Sequence, residues 1–218
     1  MKNLKNLIIC IKGAGDLASG VAIRLYNSGF HKIIFLETDS PLAVRRTVTF
    51  SEAVYDKVKK VENVTARLAH NVSDIDTIHK NNEIPVVVDP KWTIFEHIKP
   101  NVVIDAIIAK KNLGTNLNEA PLVIGLGPGF CAGKDVHCVV ETNRGHFLGT
   151  LIYEGFASEN TGVPGIVMGY GIERVIWSDT NGIFTTNYKI GDLVKKDEII
   201  AQVGNVPIKS KLDGVIRG

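Results

Sequence analysis

The chain has 218 residues, which is enough to bury a hydrophobic core in one or two domains. Its 25 Lys and Arg against 23 Asp and Glu give a formal net charge of +2, which makes no general case for binding nucleic acid or an acidic membrane surface. Its apolar content of 44% fits an ordinary globular protein, and no apolar run approaches the roughly 20 residues that cross a bilayer.

The N-terminal stretch MKNLKNLIICIKGAGD superficially resembles a signal peptide. Its apolar run is short, however, and glycines and Asp16 stand where a small-residue cleavage site belongs. We therefore predict a first strand at Leu7–Lys12, of the uninterrupted apolar type that parallel sheets bury on both faces. The three cysteines, Cys10, Cys131 and Cys138, are too few for a disulfide framework, so we expect a cytoplasmic protein with Cys10 packed in its core strand.

Strands and helices alternate through the first half of the chain. A helix is predicted from Leu17 to Leu25, where apolar residues recur at helical spacing before Gly29. Apolar runs predict further strands at 32–37, 83–89, 101–109 and 120–127. Segment 46–56 alternates like a strand, whereas 73–82 and 90–99 are predicted as short helices. This alternation predicts an α/β fold with a doubly wound, Rossmann-like parallel sheet over residues 1–127.

The second half has a β-rich pattern. Two alternating segments around Arg144-Gly145 predict a hairpin, and a glycine-rich loop follows it, so residues 128–172 are predicted as a connecting region. From Glu173 onward, turn pairs such as Asn181-Gly182 separate short strands. Residues 173–218 are therefore predicted to form a separate β module.

The turn after the first strand matches a dinucleotide-binding fingerprint. Gly13-x-Gly15-x-x-Ala18 follows a strand and opens a helix. Gly13 permits the tight turn, Gly15 leaves room for a pyrophosphate, and Ala18 lets the helix pack closely. Glu37 ends the second strand 24 residues after Gly13, near the place where an acid accepts a ribose hydroxyl.

A purely structural interpretation of this turn stays open. Asp16 can cap the helix N-terminus and balance its dipole without any ligand, and it would repel a phosphate. Lys12 is expected either to offset that negative charge or to face solvent.

Two more loops are expected at the same edge of the sheet. Arg45 and Arg46 suit phosphate, because a guanidinium donates parallel hydrogen bonds, but they can equally face the acids Glu37, Asp39 and Glu52. Arginines there also favour a 2′-phosphate, which conflicts with the preference that Glu37 implies.

The segment GLGPGF ends the fifth predicted strand. Gly125, Gly127 and Gly129 expose backbone amides able to hold an anion, and their entropic cost implies a close ligand or a close backbone. Asp105, Lys110 and Asn112, at the end of the strand before it, are candidate polar contacts or the members of a buried hydrogen bond or salt bridge.

A cluster of Cys, His and acidic residues lies between 131 and 146. Its spacing argues against zinc, because there is no C-x-x-C pair and strand alternation sends His137 and Cys138 to opposite faces. No metal site is therefore predicted. Cys131 is the candidate catalytic residue, as a thiolate for a molybdenum or selenium species, or else an ordinary loop cysteine.

An ordered set of motifs supports a family resemblance: GAGDLASGVAIRLYNSGF, PLAVRRTVTFSEAVYD, GLGPGFCAGKDVHCVVETNRGH, NTGVPG, KIGDLV and LDGVIRG. Together they resemble the YqeB-type accessory proteins of selenium-dependent molybdenum hydroxylases. The resemblance implies a role in maturing a hydroxylase of the xanthine dehydrogenase type, which would be the protein partner. The related XdhC-type accessory proteins handle molybdenum cofactor. The resemblance also implies a β segment that continues beyond Gly218, so the β module is expected to be incomplete.

The β module resembles half of a biotinyl/lipoyl-type barrel-sandwich hybrid. Lys209 and Lys211 lie near its predicted hairpin, but the residues that present a carrier lysine are missing, so no carrier function is expected. A half-barrel leaves strand edges exposed, and association with another chain, including a second copy, is one way to cover them.

Three functions remain open on these grounds. The preferred one is an accessory protein that binds a nucleotide-like small molecule, the candidates being molybdopterin dinucleotide and NAD(P). The second is an NAD(P)-dependent oxidoreductase, for which no clear proton donor stands out. The third is a non-catalytic docking protein in which the glycine turn is only a corner.

Overall fold

The structure is a computed structural model that describes residues 4–218. The chain separates into two units, Met1–Asn160 and Thr161–Gly218. The boundaries that the sequence predicts, at 127 and 172, stay predictions. Strands that follow residue 127 continue the sheet formed by the earlier strands.

The first unit is built on eleven strands. They are β1 (Ile9–Lys12), β2 (Ile33–Glu37), β3 (Val58–Val61), β4 (Val64–Ala69), β5 (Ile84–Val88), β6 (Val102–Asp105), β7 (Leu122–Leu126), β8 (Cys131–Ala132), β9 (Cys138–Val140), β10 (Leu151–Ile152) and β11 (Gly155–Phe156). Nine of them form one sheet in the order β10-β9-β7-β6-β1-β2-β5-β4-β3, and β8 pairs with β11 separately. Neighbouring strands are parallel except for the antiparallel pairs β3–β4 and β9–β10 at the two edges.

Apolar side chains cover both faces of this sheet. Helices α1 (Asp16–Asn27) and α2 (Ala53–Asp56) contribute to a core on one face, and α3 (Asp74–Lys80) contributes to a core on the other. Alternation along β1 divides its residues between the cores, Ile9 and Ile11 in the first and Cys10 in the second. The fold is therefore mixed α/β with a large, mostly parallel sheet and few helices, which is compatible with a Rossmann-like region.

The irregular segment between β2 and β3 differs from its predicted strand. Residues 46–56 form two 3-10 turns and the short α2, because tertiary contacts override the local alternation. The N–H of Ser51 donates to the Ala14 carbonyl at 2.9 Å, and the N–H of Phe50 donates to Ser19 Oγ at 2.9 Å. This segment is thereby attached to the start of α1.

The strand order places a topological switch point at β1. The chain passes from β1 to β2 on one side of it and returns to β6 on the other side. In such sheets ligands bind beyond the carboxyl ends of the strands, in the crevice where the order reverses. The ends of β1 and β6 therefore define the edge at which a site is expected.

The second unit contains five strands in two small sheets. They are β12 (Phe184–Thr185), β13 (Leu193–Val194), β14 (Ile199–Val203), β15 (Val206–Lys209) and β16 (Gly214–Val215). One sheet has the order β12-β14-β15, and β13 pairs with β16. Lys209 ends β15 and Lys211 follows it, so neither lies at the Gly204-Asn205 turn between β14 and β15. Over residues 4–218, no helix is long and apolar enough to cross a bilayer.

Candidate functional site

The glycine turn lies between β1 and α1, at the switch point. Gly13 adopts φ +81°, and a Cβ there would approach Ile107 Cα to 3.1 Å, so this glycine is required by the neighbouring loop. Gly15 differs: its φ is −70°, and a Cβ there would meet nothing within 4 Å. Ala18 is fully buried in the core beneath α1. The turn therefore has open space at Gly15 and close packing at Gly13 and Ala18.

The N-terminus of α1 is not capped by a side chain. Within the part of the chain that the structure describes, the N–H groups of Asp16, Leu17 and Ala18 have no acceptor. The Asp16 carboxylate does not act as the cap, because it pairs with the Arg45 guanidinium. Free amides at a helix N-terminus attract anions, and Arg45 offsets the charge of Asp16.

Glu37 lies directly against the turn. Its Oε2 accepts a hydrogen bond from the Ala14 N–H at 2.8 Å, and its Oε1 accepts one from the Thr38 N–H at 2.8 Å. These two bonds hold Glu37 against the turn, and one of them satisfies the Ala14 N–H. A ribose-binding role for Glu37 stays a prediction.

The two arginines predicted to bind phosphate are both paired with acidic side chains. Arg45 pairs with Asp16, and Arg46 binds Glu52 through three hydrogen bonds of 2.7 to 3.0 Å. The Glu52 carboxylate holds the pKa of Arg46 above its ordinary value. Arg46 pairs with Glu52, one of the acids named in the sequence analysis, whereas Arg45 pairs with Asp16, which the sequence predicts as the cap of α1.

Each glycine of the GLGPGF loop has a close protein neighbour. A Cβ at Gly125 would lie 2.5 Å from the Phe130 ring, and one at Gly127 would lie 2.5 Å from Thr142 Oγ1. At Gly129, φ is +113° and a Cβ would lie 2.7 Å from the Lys111 backbone. Protein atoms therefore explain why these positions lack side chains.

A buried polar cluster lies beside the turn, on the other face of the sheet from α1. The side chain of Lys12 is fully buried, and its Nζ donates to Thr115 Oγ1 at 2.7 Å and to Glu119 Oε1 at 2.8 Å. Thr115 Oγ1 donates in turn to Asp105 Oδ2 at 2.6 Å. Nζ also lies 3.3 Å from the centre of the Trp92 ring, a cation–π contact.

This cluster perturbs the titration of its members. Burial lowers the pKa of Lys12, against the opposing pull of Glu119, and burial raises the pKa of both Asp105 and Glu119. Glu119 Oε2 lies 2.7 Å from Nζ but receives no well-aligned hydrogen bond from any residue in 4–218. Lys12 therefore neither faces solvent nor offsets Asp16. The sequence points to two members of the cluster: Lys12, a lysine that ends an apolar strand, and Asp105, a candidate for a buried hydrogen bond.

The loop after β6 is held in a strained conformation. Ile108 and Lys110 adopt φ of +60° and +63°, which is unfavourable for both side chains and most unusual for a β-branched one. Asp105 Oδ1 accepts from the Ile107 N–H at 3.2 Å, and Asn112 Oδ1 accepts from the N–H of Thr115 at 2.8 Å. Backbone strain of this kind concentrates at functional sites.

One comparison with known proteins identifies a relative. The chain is 52% identical over 211 residues, or 97% of its length, to the Escherichia coli (strain K12) protein described as "Uncharacterized protein YqeB". The chain belongs to the YqeB family. It spans only 39% of that relative's own length, so the activity of the whole relative does not transfer to it directly. No family model matches the chain, and no solved structure matches it significantly.

The three cysteines of this YqeB-family chain differ in exposure. Burial raises the pKa of the Cys10 thiol to about 12 and also raises the pKa of Cys138. Cys131 is half-buried in β8, and its N–H donates to Asp135 Oδ2 at 2.9 Å. Over residues 4–218, no group of three or more Cys, His, Asp or Glu is arranged to hold a metal ion.

Cys131 is therefore expected to react alone in the native protein. Titration with a thiol reagent at pH 8 should modify one cysteine per chain, and Cys131→Ser should remove that reaction, since thiolate formation and access govern reactivity. In denaturant, three thiols should react. Modification of Cys10 under native conditions would contradict this assignment.

Proposed function

We propose that this chain is part of an accessory protein that matures a molybdenum hydroxylase of the xanthine dehydrogenase type in the cytoplasm. In this proposal it binds the dinucleotide form of molybdenum cofactor, or a nucleotide precursor, as its cargo. Membership of the YqeB family and the motifs quoted above support the choice of pathway. The observation that carries the binding role is the open space at Gly15 beside an uncapped helix N-terminus at the switch point.

The turn fits the polar part of such a ligand. A pyrophosphate needs amide donors and close approach to the backbone, and α1 offers free N–H groups where Gly15 has no side chain. A ribose hydroxyl needs an acceptor, which Glu37 supplies beside the turn. The pairing of Asp16 with Arg45 lowers the repulsion that an anion would otherwise meet.

A gene deletion in the host tests the maturation role. We expect the deletion strain to make the hydroxylase polypeptide but to leave it without active cofactor, as measured by its molybdenum content and its activity after purification. The wild-type gene should restore the molybdenum content and the activity, and a gene that encodes the Gly15→Val variant should restore neither. Fully metallated, active hydroxylase in the deletion strain would refute the maturation role.

An NAD(P)-dependent oxidoreductase is the second candidate, and Glu37 is the observation that favours it. A carboxylate at this position accepts a ribose hydroxyl and repels a 2′-phosphate, so NAD would bind better than NADP. NADH oxidation by the purified chain with a panel of carbonyl substrates tests this function. Turnover that Glu37→Ala abolishes would support it.

For the second unit we propose a barrel-sandwich-like docking module. Exposed apolar side chains support this role, including Trp177, Phe184 and Leu193, which are 72%, 63% and 79% exposed. The hydroxylase or a second copy of the chain would cover them. Replacing Trp177 and Leu193 by Ser tests the role, since the variant should fail to retain the hydroxylase in co-purification while leaving ligand binding intact.

A further inference from the structure

Some of the cationic side chains near the switch point form ion pairs with acidic residues, and others do not. Arg45 and Arg46 are paired with acids, and Lys12 is buried in its own cluster. Lys110 and Lys111 are exposed, and within the described chain neither has an ion pair or a side-chain hydrogen bond. These two lysines follow β6, the strand that pairs with β1 at the switch point.

The segment that carries these lysines contacts both glycine-rich turns. Ile107 Cα lies 3.1 Å from where a Cβ on Gly13 would be, and the Lys111 backbone lies 2.7 Å from where a Cβ on Gly129 would be. Residues 107–111 therefore run between the Gly13–Ala18 turn and the GLGPGF loop. The start of this segment therefore lies against the turn at which the ligand is proposed to bind.

Hydrogen bonds from the buried polar cluster also hold this segment in place. Asp105 binds the Ile107 N–H and the Thr115 hydroxyl, and Lys12 binds Thr115 from within the core. This buried network anchors the chain on both sides of Lys110, at Ile107 and at Thr115, and Lys110 between them adopts an unfavourable φ of +63°.

We propose that Lys110 and Lys111, rather than Arg45 and Arg46, supply the positive charge that binds the phosphates of the nucleotide-like ligand. This inference rests on the proposed function, since it assigns the cations of the same site. The ligand class is a pyrophosphate-containing nucleotide. In this assignment the two ammonium groups supply the charge, while Arg45 and Arg46 remain bound to Asp16 and Glu52.

Calorimetric titration tests the assignment, with inorganic pyrophosphate, ADP and CDP as probes. Lys110→Asn removes the charge but suits a positive φ, so we expect at least tenfold weaker binding without a lower melting temperature. Lys111→Gln should weaken binding in the same direction, and the double variant should weaken it further. Arg46→Ala should change affinity less than twofold.

Lys57→Asn is the matched control. Lys57 is also exposed and adopts φ +66°, but it precedes β3, about five strand spacings or roughly 24 Å from β6. This variant should show the same relief of backbone strain and unchanged affinity. If the wild-type chain binds the probes and the Lys110 and Lys111 variants bind equally well, the assignment is wrong while the binding function stands. If the wild-type chain binds none of the probes, the binding function itself fails, and the assignment fails with it.

Discussion

Replacing Lys12 by methionine should lower the free energy of unfolding of the first unit by about 3–5 kcal/mol. The substitution leaves the Glu119 carboxylate, whose side chain is only 9% exposed, without its cation, and it removes the cation–π contact with the Trp92 ring. It also removes the donor to Thr115 Oγ1. Urea unfolding followed by circular dichroism measures the change, and Trp92 provides a local fluorescence signal.

A second substitution separates the ion pair from packing. Lys12→Met combined with Glu119→Gln should recover more than half of the loss, because the group that pairs directly with Lys12 is then no longer a buried carboxylate without its cation. Lys60→Met provides the control, since Lys60 is exposed on the edge strand β3, and it should change stability by no more than about 0.5 kcal/mol. If Lys12→Met behaved like Lys60→Met, the buried cluster would not exist as described.

Gly15→Val should abolish binding of a dinucleotide while leaving the fold intact. A valine fills the space that a pyrophosphate needs, yet its Cβ would meet no protein atom within 4 Å. The φ of −70° and ψ of −166° are also acceptable for a β-branched residue. Calorimetry should show at least a hundredfold loss of affinity, and the melting temperature should stay within a few degrees of wild type.

Two further glycines serve as controls for this prediction. Gly20 lies on the exposed side of α1 with nothing within 4 Å, so Gly20→Val should leave ligand affinity unchanged. Gly13→Ala should instead destabilise the fold, because φ is +81° and Ile107 lies close by. Equal affinity for Gly15→Val and the wild type would mean that the turn is only a corner.

The parallel sheet could be predicted because each of its central strands corresponds to a continuous apolar segment of the sequence. β1, β2, β5, β6 and β7 all fall inside predicted segments, since strands buried on both faces need continuous apolar sequence. The hairpin of β3 and β4 was missed. Its alternating, half-exposed residues resemble ordinary loop sequence, and its pairing to β5 is fixed by tertiary contacts.

The position of the candidate site could also be predicted from the sequence. The ion pairs between its charged side chains could not. Strand–turn–helix order identified Gly13, Gly15 and Glu37, which the structure brings together. Arg45 pairs with Asp16, which lies 29 positions away in the sequence. Lys12 pairs with Glu119, which lies 107 positions away. No local spacing encodes such pairs, so the sequence left the roles of these charges undecided.

Calorimetric titration of the purified 218-residue chain with the dinucleotide form of molybdenum cofactor, and separately with NAD, tests the central proposal most directly. We expect saturable binding of the molybdenum cofactor, tighter than that of NAD and lost in Gly15→Val. Tighter binding of NAD, or no binding of either ligand, would contradict the proposal that this chain handles molybdenum cofactor.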